Sequence, residues 1–312
     1  MHKNFQKRVL FVGMPDMAIV CFEHLYKAGV NLVGAVPPDR NNPSYECFVS
    51  FMSNFEVPVI NYENSLKDAQ FLEQIKRLNA DIAVVCSYNK LFPREFLSCT
   101  KDGFINCHPS LLPDYRGANP YSHVIINDEK VSGVTLHFMD ESFDTGDIIC
   151  QKKLSLSGNE TMGILFNVCN YIAADLLLQV LTRYEETNTL PRKSQNKNSD
   201  KIAPAINQNG QDNRIDWSKT AKEIECFVRA LNPFIVAVTG FRNEFVRVMN
   251  VNFEKKRHNL TPGIVCDTRK GLGVATVDGV VYINILQYGT FLICSGKELV
   301  EKMNIKNGEM FY

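Results

Sequence analysis

Apolar residues fall along the first half of the chain in short unbroken runs, separated by stretches with helical spacing. The runs Val9 to Gly13, Leu32 to Val36, Val57 to Ile60, Ile82 to Cys86 and Phe104 to Cys107 suit strands buried on both faces. Between them the pattern predicts helices near Ala18 to Lys27, Tyr45 to Asn54 and Leu66 to Leu78. Strand and helix in alternation give an α/β class with a doubly wound, mostly parallel, Rossmann-like sheet. After Thr161 a long amphipathic helix is expected to about Thr187. Leu190 to Asn213 is rich in Asn, Gln, Lys and Ser without hydrophobic period, and reads as a linker draped over the surface. A helix over Ala221 to Leu231 follows, then strand-like runs at Phe245 to Val251, Gly273 to Val277 and Val280 to Leu286, divided by glycine turns. These fit a small β-barrel with a helix. The organisation expected is a domain over 1–189, a linker over 190–213 and a second domain over 214–312.

The chemistry concentrates between Phe104 and Asp147. In a strand ending before Pro109, alternation sends Asn106 and His108 to the same side at the carboxyl end, where ligands of such sheets bind. An imidazole that shuttles a proton needs a carboxylate to fix its tautomer and raise its pKa toward working pH. Asp144, in the turn-like segment Ser142 to Asp147, is the candidate. The Asn106 carboxamide can donate to an oxygen that gains charge in a tetrahedral intermediate. Cys107 points the other way, and no serine or cysteine is placed as a nucleophile, so direct acyl transfer to an amine is the simpler chemistry. The competing reading makes His108 a structural hydrogen-bonding residue and Asp144-Thr145-Gly146-Asp147 an ordinary turn. His137 and His123 read as packed, hydrogen-bonded histidines.

Composition narrows the class. Of 312 residues, 45% are hydrophobic and 22% charged, which excludes disordered and fibrous chains. No apolar run approaches the ~18 to 20 residues of a membrane span, and Met1 to Arg8 leads into a strand instead of a secretory core, so a cytoplasmic protein is expected. Ten cysteines lie scattered without a Cys-x-x-Cys pair, which predicts buried free thiols and no metal site. The net charge of zero divides unevenly. Residues 1–190 carry 16 Lys and Arg against 22 Asp and Glu, whereas 214–312 carry 14 against 10. Phe11-Val12-Gly13-Met14-Pro15-Asp16 follows a first strand but lacks the second and third glycines of a dinucleotide fingerprint, which argues against a dehydrogenase.

An ordered series of motifs adds to this reading. Asn106-Cys107-His108-Pro109-Ser110-Leu111-Leu112-Pro113, Tyr115-Arg116-Gly117, Gly133-Val134-Thr135 and Asp144-Thr145-Gly146-Asp147 resemble the signature of the folate-dependent formyltransferases. Phe11 to Asp16, Tyr88 to Pro93, Ile215-Asp216-Trp217 and Leu231 to Phe234 extend the likeness over nearly the whole chain. The resemblance implies Asn106, His108 and Asp144 as the catalytic set. It implies that Cys86, Ser87, Tyr88, Asn89, Lys90, Ser110, Leu111, Leu112, Pro113 and Asp140 border the co-substrate 10-formyltetrahydrofolate, recognised largely by main chain, so that side-chain identity in 86–90 says little. Pro15, Arg116 and Gly117 would shape the acceptor side. It further implies an OB-like carboxy-terminal barrel and a monomer or homodimer.

The acceptor amine is less legible. Members of the family that act on tRNA carry a basic, glycine-containing insertion after the second strand, whereas Pro37 to Ser44 here holds one cation, Arg40. That loop favours a small amine such as a nucleotide-linked amino sugar. The opening motif and the positive second domain favour the alternative, initiator methionyl-tRNA. Lower alternatives are a formyltetrahydrofolate hydrolase and a folate- or RNA-binding module without catalysis.

Overall fold

The computed structural model describes residues 5–196, 198–208 and 211–312. Met1 to Asn4 of the amino-terminal segment, and Lys197, Asn209 and Gly210 of the linker, lie outside them. The chain divides into two compact units. One holds Met1–Pro120, Val131–Ser155 and Phe166–Ala203; the other holds Tyr121–Lys130, Leu156–Leu165 and Pro204–Tyr312.

The first unit is built on β1 (Val9–Gly13), β2 (Leu32–Val36), β3 (Ile82–Cys86), β4 (Phe104–His108), β5 (Val131–Phe138) and β6 (Ile148–Ser155), in the order β2-β1-β3-β4-β5-β6. The first four strands are parallel. β5 and β6 run antiparallel, so the sheet is mostly, not wholly, parallel. Helices α1 (Met17–Lys27), α2 (Tyr45–Met52), α3 (Ala69–Arg77) and the short α4 (Arg94–Leu97) belong to this unit. β1 and β3 are buried at every position, as the unbroken apolar runs require. Phe92, Phe96 and Phe104 pack edge-on or tilted, with centroids 4.9 to 5.7 Å apart, and anchor the start of β4.

One expected strand does not form. Val57 to Ile60 makes only a single parallel bridge, Ala35 to Val59, because Pro58 has no N–H to offer the ladder. The Pro58 carbonyl and the Ile60 N–H still bond Ala35.

Helix α5 (Pro120–Ile126) leads into β5, and α6 (Met162–Thr187) follows β6. Contrary to the expectation that no segment approaches a membrane span, α6 is long and apolar enough to cross one by length and composition. Half of its most apolar window is buried within the protein. Ile164, Val168 and Tyr171 form its exposed apolar positions.

The second unit carries α7 (Ala221–Leu231), β7 (Ala237–Phe241), β8 (Glu244–Lys255), β9 (Val265–Asp267), β10 (Leu272–Ala275), β11 (Gly279–Tyr288), β12 (Leu292–Ser295) and α8 (Gly296–Met303). Its all-antiparallel sheet runs β7-β8-β11-β10-β9, with β12 also paired to β11. The named strands at the two ends do not pair with each other, so the sheet is not a closed barrel. Both helices begin with a capping box, Thr220 with Glu223 and Ser295 with Glu298, a signal legible in the sequence. The core gathers Trp217, Ile224, Val228, Leu231, Phe241, Val281 and Phe311. Trp217 is buried and its indole N–H donates to Thr239 Oγ1 at 3.0 Å.

Candidate functional site

β4 ends at the carboxyl edge of the parallel strands, and its last residues set the site. Alternation places Asn106 and His108 toward the same loop: Asn106 Nδ2 lies 3.4 Å from Asp144 Oδ1, and His108 Nδ1 also lies 3.4 Å from that oxygen. Cys107 faces away, its Sγ 3.7 Å from Cys86 Sγ, and burial with its thiol neighbours pushes it well above the usual thiol range. A buried, protonated thiol is a poor nucleophile.

The tautomers follow from the partners. A carbonyl only accepts, so His108 Nε2–H donates to Tyr115 O at 2.8 Å, which leaves Nδ1 as the basic nitrogen toward Asp144. Likewise His137 Nδ1–H donates to Phe138 O at 2.8 Å, and His137 Nε2 accepts from Asn106 Nδ2 at 3.1 Å. His137 is therefore packed and hydrogen-bonded, but its partner is a site residue. It fixes the Asn106 carboxamide.

Asp144 is held from several directions. Gly117 N–H donates to Oδ2 at 3.0 Å, and Arg116 Nε donates to the Asp144 carbonyl at 3.0 Å. Asp144 itself has φ of 57°, in the left-handed region. Two glycines make this approach possible: a Cβ on Gly146 would stand 1.9 Å from Phe138 O, and one on Gly117, at φ of 120°, 2.4 Å from Ala203 O. Burial pushes the Asp144 carboxyl upward, but the His108 imidazole, His137 and the Gly117 N–H outweigh it and hold it at about 2. Burial lowers His108, and the pull of Asp144 and Tyr115 O only partly offsets it. Asp144 does pull the imidazole upward, as expected of its carboxylate, while burial sets the net direction. At neutral pH the site pairs an ionised Asp144 with a neutral His108.

Around this centre, the loop after β4 is tied to β5 and β6. Ser110 Oγ donates to Asp114 O at 2.7 Å, Thr135 Oγ1 to Ser110 O at 2.6 Å, and Leu112 N to Thr135 Oγ1 at 3.1 Å. Gln151 Nε2 donates to Leu112 O at 2.8 Å. Leu111 lies over Gly133, and the Leu112–Pro113 peptide is cis. Thr135 and Gln151 carry this support, and of the two the motif series named only Thr135.

The loop after β3 begins at buried Cys86, whose carbonyl accepts from Met14 N at 3.2 Å and so brings the Met14-Pro15-Asp16 turn beside it. Ser87 has φ of 54°. Two side chains of this loop tie it to neighbouring segments. Tyr88 Oη donates to Pro37 O at 2.9 Å and meets Tyr62 Oη at 2.9 Å, while Lys90 Nζ pairs with Asp39 Oδ2 at 2.6 Å. Burial, then Tyr62, raises the Tyr88 hydroxyl far above its usual range. Thus 86–90 fastens the loop Pro37 to Ser44. Asn89 stands between these two anchors. Asp140 is exposed, and both its carboxylate oxygens take the Thr145 hydroxyl, at 2.7 and 2.8 Å, closing the turn that carries Asp144. His123 lies elsewhere, its Nε2 donating to Pro204 O at 3.1 Å.

The polar segment after α6 is structured where it passes the site. Lys193 pairs with Ile148, Ile202 with Arg116, and Tyr115 N donates to Lys201 O at 2.7 Å. Gln195 reaches the Asp144 turn directly, donating to Asp144 O at 3.0 Å and Gly146 O at 2.6 Å. No period or motif marks Gln195 in the sequence.

All ten cysteines are free; Cys47 is exposed, Cys150 and Cys266 half-buried, and the rest buried. Among the described residues no group of three or more His, Cys, Asp or Glu is arranged to hold a metal ion.

Beyond the carboxyl end of β4 the fold gathers a carboxamide, a neutral imidazole and, from the turn between β5 and β6, an ionised carboxylate, a set of groups suited to acyl transfer. The comparisons make that specific. The chain matches the formyl transferase family over residues 43–181 and the formyl transferase carboxy-terminal domain over 208–304. It is 35% identical over 290 residues to a methionyl-tRNA formyltransferase of Clostridioides difficile, covering 90% of this chain and 92% of that protein. With the methionyl-tRNA formyltransferase of Acetivibrio thermocellus it shares 31% identity, over 97% of this chain and 99% of the relative. The chain belongs to the formyl transferase family. Among solved structures, an N-formyltransferase of Helicobacter canadensis, crystallised with folinic acid and dTDP-3-aminofucose, aligns with a TM-score of 0.66 at 20% identity, over 92% of this chain and all of that one. HypX of Aquifex aeolicus, in complex with tetrahydrofolic acid, aligns with a TM-score of 0.64 at 15% identity, over 96% of this chain and 47% of that one. At such identities these two establish the fold.

Proposed function

We propose that this enzyme transfers the formyl group of 10-formyltetrahydrofolate to the amine of initiator methionyl-tRNA. What carries the reaction is the convergence of Asn106 Nδ2 and His108 Nδ1 on Asp144 Oδ1, each at 3.4 Å. His108 Nδ1 and Asp144 Oδ1 are both acceptors and stand side by side, so either can receive an N–H of an amine bound beside them. In this reading the unprotonated amine forms the new N–C bond to the formyl carbon, and Asn106 Nδ2 donates to the oxygen that gains charge. His108 Nδ1 takes the amine proton, directly or through water, and returns it to N10 of the folate as the old C–N bond breaks. Asp144 orients the proton and stabilises the imidazolium. No covalent enzyme intermediate is needed. Loss of transfer in His108→Ala and Asp144→Ala, with folate still bound, tests these roles; undiminished transfer in either overturns them.

The folate pocket is read as the main chain of 86–90 and 110–113, loops whose backbone is fixed by the bonds described above. The half-buried Tyr88 and Lys90 side chains are committed to Pro37 and Asp39, which fits recognition by backbone. Pro15, Arg116 and Gly117 border the acceptor side, and Asp140 acts by shaping the Asp144 turn.

The choice of acceptor reverses the preference drawn from the Pro37 to Ser44 loop. Relatives of matching length at 31–35% identity are named methionyl-tRNA formyltransferases, whereas sugar-formylating enzymes align at 20% identity or near it. A short, nearly uncharged loop weighs less than similarity over both domains. The second reading, a nucleotide-linked amino sugar, keeps the support of that loop and of the neighbour crystallised with dTDP-3-aminofucose.

We divide the chain at 1–189, 190–213 and 214–312, and read the last part as an OB-like barrel. Supporting this, the carboxy-terminal Met310 and Phe311 bridge Ile264 beside β9 and Phe241 in β7, joining the two ends of the sheet through single bridges. A cytoplasmic location agrees with the substrates of this reaction.

A further inference from the structure

One side chain of the polar segment after α6 ties together the loops that hold Asp144. Gln195 Nε2 donates to Asp144 O at 3.0 Å and Gly146 O at 2.6 Å, and its Oε1 accepts from Arg116 Nη2 at 2.6 Å. Arg116 in turn donates through Nε to the same Asp144 carbonyl at 3.0 Å, and through Nη2 to Asn196 O at 3.2 Å. A single carboxamide thus satisfies two turn carbonyls and orients the guanidinium that holds one of them. Gln195 is itself fixed from both sides. Lys193 exchanges backbone bonds with Ile148 at 2.8 and 3.0 Å, and Ser199 Oγ donates to Asp114 Oδ1 at 2.7 Å. Asp144 needs this support, because a non-glycine residue at φ of 57° persists only where its surroundings over-determine it.

We propose that Gln195 is a positioning residue of the formyl-transfer reaction: by donating to the Asp144 and Gly146 carbonyls it sets the backbone from which the Asp144 carboxylate meets His108. The assignment rests on the reading of Asp144 and His108 as the catalytic pair. Gln195 acts through Asp144 and touches no reacting atom. A glutamine suits the place because it offers two donor hydrogens to the carbonyls and an acceptor to Arg116 at once. Glutamate keeps only the acceptor and sets a negative charge against two carbonyl oxygens. Methionine keeps the length and loses both.

The experiment compares full-length wild type, Gln195→Met, Gln195→Glu and Asp144→Asn in formyl transfer, with folate affinity from 5-formyltetrahydrofolate titration and folding from the thermal midpoint. Expected for Gln195→Met is a kcat lower by on the order of a hundredfold, the loss that an ångström-scale displacement of a reacting group produces. Folate affinity should stay within about twofold, since the carbonyls Gln195 holds lie in the Asp144 turn and not in the 86–90 or 110–113 loops. Gln195→Glu, able to hold Arg116 but not the carbonyls, should be equally slow. Wild-type kcat in Gln195→Met, a change confined to KM, or full recovery in Gln195→Glu would each overturn the assignment. Asp144→Asn separates the two levels: full activity there removes the catalytic reading itself, while an inactive Asp144→Asn beside an unimpaired Gln195→Met removes only the role of Gln195.

Discussion

His108 Nδ1 and Asp144 Oδ1 face each other at 3.4 Å, while the other ring nitrogen of His108 is spent on the Tyr115 carbonyl at 2.8 Å. The imidazole is thereby oriented by a backbone oxygen, with its free lone pair on the side of the carboxylate. Burial lowers its basicity and Asp144 partly restores it.

The pH profile of formyl transfer should follow from that balance. His108 must be neutral to accept the amine proton, so kcat should rise with pH through a limb on the acid side of 6.5, the ordinary histidine value. Asp144→Asn removes the upward pull, which moves the limb to still lower pH and reduces kcat by roughly 10² to 10⁴-fold, the span of general acid–base effects. A limb that moves to higher pH in the variant contradicts this electrostatic account.

Stability carries the same signature. The Asp144 carboxyl is depressed from 3.8 to about 2, so its stabilisation is fully present above about pH 5 and is lost as the pH falls through the folded value. Urea unfolding of wild type and Asp144→Asn at pH 6 and at pH 3 should show the gap between them narrowing at the lower pH. A gap that widens there rules out the assigned direction.

Gly117→Ala should disable the site without touching a proton-transfer group. The new methyl meets Ala203 O at 2.4 Å and the residue must keep φ of 120°, so the loop shifts and the N–H that holds Asp144 Oδ2 moves with it. A fall in kcat of about a hundredfold is expected from such a displacement. Steady-state kinetics beside a thermal melt would reveal whether activity falls further than folding.

Phe104→Ala tests the anchoring of β4. Phe104 is buried against Phe92 and Phe96, and emptying its site should cost about 3–5 kcal/mol in urea unfolding. A cost under 1 kcal/mol would show that the cluster does not hold the strand.

Thiol titration of the native enzyme should label Cys47 first, Cys150 and Cys266 more slowly, and the remaining cysteines only on unfolding. Cys47 lies on α2, outside the Asn106, His108 and Asp144 set, so its labelling should leave formyl transfer intact. Rapid native labelling of Cys86 or Cys107 contradicts the packing behind the site.

Much of this could be read in the sequence because the signals are local. Short apolar runs marked β1 to β4, and alternation alone put Asn106 and His108 on one side of the strand. Helical spacing over Ala221 to Leu231 marked α7 with its observed bounds. What escaped depends on contacts distant along the chain. β6, with Lys152 and Lys153 exposed along it, lacks an apolar run and pairs only because β5 lies beside it. Pro58 defeated an otherwise convincing strand by removing one donor. The net direction of the His108 shift was not legible, because burial of the imidazole, which outweighs the carboxylate, is a property of the fold and not of the motif. Gln195 sits in a polar stretch where nothing distinguishes it from its neighbours until the Asp144 turn is brought against it.

The central claim is tested most directly by offering the enzyme 10-formyltetrahydrofolate with initiator methionyl-tRNA and, in parallel, with a dTDP-linked amino sugar, then identifying the formylated product after hydrolysis. The account predicts N-formylmethionine released from the tRNA, at a rate that falls steeply with added salt as phosphate contacts are screened. A formylated amino sugar together with unmodified methionyl-tRNA would contradict it.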